Sequence, residues 1–177
     1  VGARAHGRQA GGARLGAAAA LLLATAGAGC GYRFIGPGGQ LPGGVRSVCA
    51  PMLANLTAQP AAQTVFSRSL SAAVAERGLS RAGASCDATL EGALVSLSYG
   101  TGLLGPDNVP TFRVDASLRL TLRKGDAVLG AVQVSRSEDL LNEADVLAAE
   151  ANFEAALQRL ADDLARDAMA QLAASAE

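Results

Sequence analysis

Three sets of side chains in this sequence have types and spacings that could do chemistry. The first is the thiols Cys30, Cys49 and Cys86. The second is a cationic set, Arg113, Arg119 and Arg123, on alternate positions of one segment and followed by Lys124. The third is two adjacent carboxylate pairs, Glu138-Asp139 and Asp162-Asp163. A thiol can be acylated or oxidised to a disulfide, and a guanidinium forks onto phosphate or carboxylate. Catalysis is poorly served by the same list. The only histidine is His6, so the rest of the chain has no Ser-His-Asp or Cys-His site of the usual kind. Asp162 and Asp163 are neighbours on a helical pattern and point in different directions, so a solvated face suits them better than a two-carboxylate site. Glu138-Asp139 falls at a strand end, as rim charge or a partner contact. Two thiols do not complete a structural zinc site, which takes four N or S ligands. Gly100-x-Gly102-x-x-Gly105 spells a dinucleotide fingerprint, but that fingerprint must open a helix. Pro106, Asp107 and Pro110 follow instead, so a loop is expected. The expectation is a protein with no enzymatic activity, no metal site and no bound cofactor.

Cys30 stands out by its surroundings. Arg4, Arg8 and Arg14 precede an apolar run from Leu15 to Ala26, and no acidic residue occurs before Cys30. The run is too short to span a bilayer comfortably. A basic region, an apolar region and then small residues is the order of a secretion signal. Gly27-Ala28-Gly29-Cys30 resembles the lipobox, in which the cysteine thiol is acylated and becomes the new N-terminus. A plain cleaved signal is the competing reading. The expected division is a lipoprotein signal over 1–29, a lipid-anchored tether over 30–44 and one domain over 45–177. Gly31 stands where Asp would favour inner-membrane retention, so the expected destination is the outer membrane. Acyl chains such as palmitate on Cys30 are then the one non-protein group.

After Cys30 the chain holds 12 of the 15 basic residues and all 16 acidic ones. A mildly acidic domain is a poor nucleic-acid binder, because phosphate binding needs a basic surface. Aromatics make up 3% of the sequence and Trp is absent, so stacking platforms for bases are not expected. With Cys30 acylated, Cys49 and Cys86 remain. In an oxidising compartment they fit one disulfide, or equally two separate buried thiols.

These residues must be positioned by regular elements. "GYRFIGPGGQLPGG" from Gly31 has no periodicity and reads as linker. "VRSVCAPM", Val45 to Met52, reads as a short strand ending at a proline. Phe66, Leu70, Ala73 and Val74 recur at helical spacing, with Gly78 as a stop, which predicts a helix over about 61–77. "DATLEGALVSLS" reads as a strand. From Thr111 to Arg123 the alternation is strict: Phe112, Val114, Ala116, Leu118, Leu120 and Leu122 against Arg113, Asp115, Ser117, Arg119, Thr121 and Arg123. One face is therefore buried and one wet. Lys124-Gly125-Asp126 turns the chain into a fourth strand, Ala127 to Arg136. Phe153, Leu157, Leu160, Leu164, Ala168 and Leu172 form a helical stripe over about 142–173. The order β-α-β-β-β-α predicts an α+β two-layer sandwich, with two helices on one face of a four-stranded, mostly antiparallel sheet.

"CGYRF", then "LPGGVRSV", then Pro51-x-Leu53-x-Asn55-x-Thr57 before an amphipathic helix, resembles the LPS-assembly lipoprotein family LptE. "CDATLEGALVSL" is similar to that family's "ADA-L-G" strand, and "AALQRLADDLARDAMAQL" to its C-terminal helix. Together these motifs run over essentially the whole segment after Cys30. The resemblance implies a non-enzymatic outer-membrane lipoprotein that plugs the LptD barrel, helps it assemble and assists lipopolysaccharide transport to the surface. It implies LptD and lipopolysaccharide as partners, and a site facing the periplasm or inside the barrel. On that reading Arg113, Arg119, Arg123 and Lys124 are candidate contacts to lipopolysaccharide phosphates or to the barrel; ordinary solubilising charge is the alternative. A periplasmic lipoprotein that activates a peptidoglycan synthase is the other function that "VRSVCAPMLANLT" would fit.

Overall fold

The computed structural model describes residues 40–80, 85–104, 110–141 and 145–176. The elements run β1 (Val48–Cys49), β2 (Ala54–Asn55), α1 (Ala62–Glu76), β3 (Ala88–Leu104), β4 (Pro110–Lys124), β5 (Ala127–Leu141) and α2 (Val146–Ala174). A single turn of 3-10 helix, Pro42–Gly44, precedes them. The expected signal over 1–29, Cys30, Gly105 and most of the expected tether lie outside the described residues.

One five-stranded sheet carries the fold, in the order β1-β3-β4-β5, with β2 pairing to β3 as well. β3, β4 and β5 are antiparallel neighbours, while β1 and β2 pair with β3 in parallel. The α+β class and the helix and hairpin assignments therefore hold. The strand expected over Val45–Met52 is cut to Val48–Cys49, and a second short strand, Ala54–Asn55, follows beyond it. Pro51, between them, has no N–H to give a ladder, and the chain steps off β3 there and returns at Ala54.

Burial on β4 follows its sequence. Val114, Ala116, Leu118, Leu120 and Leu122 are buried, and the residues between them face away from the core. Both helices cover that buried face, α2 on β5 and β4, and α1 on α2. Their inward stripes are Phe66, Leu70, Ala73 and Val74 on α1, and Leu157, Leu160, Leu164, Ala168 and Leu172 on α2. α2 begins where Asp145 accepts the Leu147 and Ala148 N–H groups at 2.9 and 3.0 Å, satisfying two of the four unpaired donors of its first turn. At the other hairpin end Gly125, at φ 58°, makes the tight turn the sequence expects.

β3 runs further than expected, through Gly100 and Gly102 to Leu104. β4 is long enough to pair with it there, Gly100 opposite Arg113 and Thr101 opposite Phe112. Two glycines of the apparent nucleotide fingerprint are thus strand residues, and the next described element is again a strand, β4. The linker's end also differs from expectation. Leu41 and Val45 are buried and bridge each other around the Pro42–Gly44 turn, so the folded part begins before residue 45.

The segment between β1 and α1 is fixed by three side chains. Leu53 is fully buried, and a Cβ at Gly92 would stand 1.8 Å from its Cδ2. Gly92 is what admits Leu53 to the core. Asn55 Oδ1 accepts the Thr57 N–H and hydroxyl at 3.0 and 2.8 Å, turning the chain away from β3. Cys49 and Cys86 form a disulfide with Cα atoms 5.5 Å apart, which ties β1 to the start of β3.

Two stability measurements check this arrangement. Leu118→Ala should cost about 2–5 kcal/mol, while Thr121→Ala, on the wet face, should fall within about 0.5 kcal/mol of wild type; urea melts giving the reverse order would mean the strand register is off by one. Cys49 and Cys86 are 37 residues apart. Breaking the bridge with Cys49→Ser should then cost about 4 kcal/mol in the chain-entropy account. Two freely alkylated thiols in the non-reduced protein would refute the bridge.

Candidate functional site

Among the described residues the sheet has one face under helices and one face bare. Along β4 the bare face carries Arg113, Asp115, Ser117, Arg119, Thr121 and Arg123, and register decides what each meets. Arg113 lies opposite Asp139 on β5 and forks onto it, Nε–Oδ1 2.8 Å and Nη2–Oδ2 2.9 Å. The pair holds Asp139 below the usual carboxylate range, through the Arg113 hydrogen bond, and raises Arg113. Arg119 lies opposite Gln133 and donates to its Oε1 from Nε and Nη2 at 3.1 and 2.9 Å. Arg123 reaches diagonally to Glu91 on β3 at 3.0 Å. Ser117 shares a hydrogen bond with Ser135, and Ser137 donates to Asp115.

The four cations expected as one site therefore fall into two groups. Arg113 and Arg123 are neutralised by carboxylates of neighbouring strands. Among the described residues Arg119 has the neutral amide of Gln133 as its side-chain partner and no carboxylate. The side chain of Lys124, exposed at the hairpin turn, makes no hydrogen bond or ion pair among the described residues and acts on Asp87 by its field. The sequence shows the spacing along β4 but not the register of β3 and β5, which selects the partners.

Arg119 also borders a recess on this face. Pro51, Met52, Ala54, Glu91, Gly92, Ala93, Arg119 and Thr121 line an open groove of about 320 Å³. Its floor is the bare side of the β3–β4 ladder, where Glu91 and Ala93 lie opposite Thr121 and Arg119, and its wall is the Pro51–Ala54 step that the proline imposes. Met52 on the wall is 67% exposed. An apolar wall beside an unneutralised guanidinium suits a ligand with an acyl or other apolar part and an anionic group.

The acidic pairs have structural partners. Glu138 accepts from Arg159 at 2.9 Å, and Asp163 accepts from Arg166 at 2.6 Å. Asp162 accepts the buried Ser69 hydroxyl at 2.6 Å between the two helices. Arg136 donates to Asp167 at 2.8 Å, fastening α2 to β5. Among the described residues no group of histidine, cysteine or carboxylate side chains could hold a metal.

The corner where the chain enters the sheet holds the other perturbed carboxylate. Asp87 Oδ2 accepts the N–H groups of Arg46 and Ser47 at 3.1 and 3.0 Å. Hydrogen bonding to the Arg46 N–H, then to Ser47, with Lys124 nearby, lowers its pKa.

Comparison with known proteins adds context to this geometry. A family model described as LptE, Lipopolysaccharide-assembly, matches residues 45–172. No curated protein sequence matches. Among solved structures, a protein from Caulobacter crescentus CB15 described as a candidate lipoprotein shares 18% identity at a TM-score of 0.52, over 70% of this chain and 89% of that one. A hypothetical protein from Chlamydia trachomatis shares 13% identity at a TM-score of 0.50, over 72% and 96%. The rare lipoprotein B from Shewanella oneidensis shares 13% identity at a TM-score of 0.49, over 70% and 94%. At such identities the first two likenesses show the fold alone.

The Asp87 corner gives a pH test. Its folded pKa is depressed below 3.8, so its contribution is present above that value and is lost as pH falls through the lower folded pKa. Replacing it with Asp87→Ala should flatten the acid limb of a stability–pH profile below about pH 4. An unchanged limb would show that the carboxylate does not cap the Arg46–Ser47 backbone.

Proposed function

The chain belongs to the LptE lipopolysaccharide-assembly family, and on that premise we propose that it is a lipid-anchored, non-enzymatic subunit of an outer-membrane lipopolysaccharide export complex. Its leader directs export, and Cys30 carries the anchor. The folded domain seats against the LptD barrel, or within it, and assists both barrel assembly and lipopolysaccharide passage. The work is done by shape and surface, with no reacting group.

The observation that carries this reading is the bare sheet face. Three strands of 15 to 17 residues present one side to the helices, and among the described residues the other side is uncovered. A face laid with serines and internally paired charges is compatible with the polar interior of a barrel. Internal pairing matters because a row of free arginines would carry a large desolvation cost on entering a confined space. Arg119, with the groove beside it, and Lys124 keep a positive charge for an anionic partner. Lipopolysaccharide, with phosphates next to acyl chains, has that chemistry, and charge-assisted phosphate contacts are among the stronger polar interactions.

Two outcomes test the proposal. Depletion should leave LptD misassembled and the outer membrane permeable to bulky apolar antibiotics; normal LptD maturation, or recovery of a peptidoglycan synthase in its place on affinity purification, would contradict it. Arg119→Ala with Lys124→Ala should weaken lipopolysaccharide binding about tenfold and shallow its salt dependence, because exposed charges act through screened fields, and should leave the melting curve in place. An unchanged salt slope would move the contact away from this face.

A further inference from the structure

The two edges of the sheet are finished differently. β5 is closed at its start by the Pro42–Gly44 turn, with Gly43 beside Leu129 and Pro42 beside Gly130. Further along it carries Arg136, Glu138 and Asp139. Blocking segments and charges are how natural edges avoid pairing with other chains.

β3 has neither protection over its second half. β1 and β2 pair with it only at Ala88–Thr89 and Ala93–Leu94. The last bond on that side runs from the Leu56 N–H to the Leu94 carbonyl at 3.0 Å, after which the Asn55 turn takes the chain away. Among the described residues nothing lies on the edge beyond it. From Ser96 to Leu104 the sequence is SLSYGTGLL, with no charge and no proline. A register shift at Leu94/Ser96 precedes a regular run that pairs Leu97 with Ala116, Tyr99 with Val114 and Thr101 with Phe112. Because Leu94 faces the open side and the shift takes up one residue, the alternation turns the backbone groups of Leu97, Tyr99 and Thr101 outward, and those of Ser98 and Gly100 toward β4.

We propose that the open edge of β3 at Leu97–Thr101 is the docking site for an extended segment of the partner, which adds there as a further strand. This rests on the barrel partnership proposed above. The exposed backbone donors and acceptors specify a strand as the occupant. A closed barrel wall has no free edge of its own to offer, so the segment is a loop of that partner. The uncharged rim matches a loop that is itself uncharged and alternates apolar with small residues. Its apolar side would meet the ring of Tyr99, which is 55% exposed and held by stacking on Phe112 at 5.1 Å and edge-on to Phe153 at 5.6 Å. The chain already uses this edge in the same way for β1 and β2, so the docked strand continues an existing row.

Residue-resolved amide exchange on the isolated chain and on its detergent-purified complex with the barrel tests the assignment. In the isolated chain the Tyr99 and Thr101 amides should exchange fast and the Ser98 and Gly100 amides slowly; in the complex the first pair should slow by about tenfold or more. A complex whose Tyr99 and Thr101 amides stay fast would overturn the edge assignment and leave the partnership standing. Failure of any complex to form would remove the partnership itself, and the edge assignment with it. Protection that appears in the isolated chain and rises with its concentration would make a second copy the occupant, against the proposal. Thr101→Pro, which deletes an outward N–H, should lower affinity for the barrel about tenfold, while Thr101→Ala should not. Equal affinity of the two would also overturn the proposal, and the exchange pattern of the wild-type chain decides it even where the proline variant does not fold.

Discussion

β4 is paired on both sides over nearly its whole length, with β3 and with β5, and one of its faces is the floor of the core. Everything else is arranged around that register. A slip of one residue would push Val114, Ala116, Leu118, Leu120 and Leu122 into water and bring Arg113, Arg119 and Arg123 under the helices. The two helices can sit on only one side, because only one side is apolar. The bare face follows from the same alternation and is the counterpart of the core.

The short first strands and α1 depend on this floor through a second constraint. Leu53 can enter the core only because Gly92 leaves room on β3, and the chain reaches Leu53 only by stepping off the sheet at Pro51. The same step raises the Met52 wall and opens the groove beside Arg119. A packing requirement on one side of the sheet thus shapes the recess on the other. The disulfide between Cys49 and Cys86 and the Asp87 cap close the corner from which that step starts.

Much of the architecture was legible in the sequence, and the reasons can be traced to particular residues. The alternation from Phe112 to Arg123 and the stripes on α1 and α2 reflect burial, which leaves a periodic mark along one chain. The Gly125 turn leaves a local mark too. What leaves no such mark is pairing between distant segments. The extension of β3 through Gly100 and Gly102 depends on β4 being long enough to hold it, against the weak strand preference of glycine. The neutralisation of Arg113 by Asp139 and of Arg123 by Glu91 depends on register across strands. The roles of Glu138, Asp162 and Asp163 depend on where α2 settles. The groove could have been sought from Pro51, Leu53 and Gly92 only by knowing that they are neighbours.

The central claim is that the bare face, and not the helical side, is the working surface in the assembled envelope. It is tested most directly by single-cysteine labelling with a polar maleimide, with Cys49 and Cys86 held in their disulfide. Thr121→Cys, at the centre of the bare face, should react readily in the isolated protein and about tenfold more slowly in native outer membranes, relative to Glu154→Cys on the exposed side of α2. Equal relative reactivity in the two settings would mean that the face stays open to solvent, and would contradict the account.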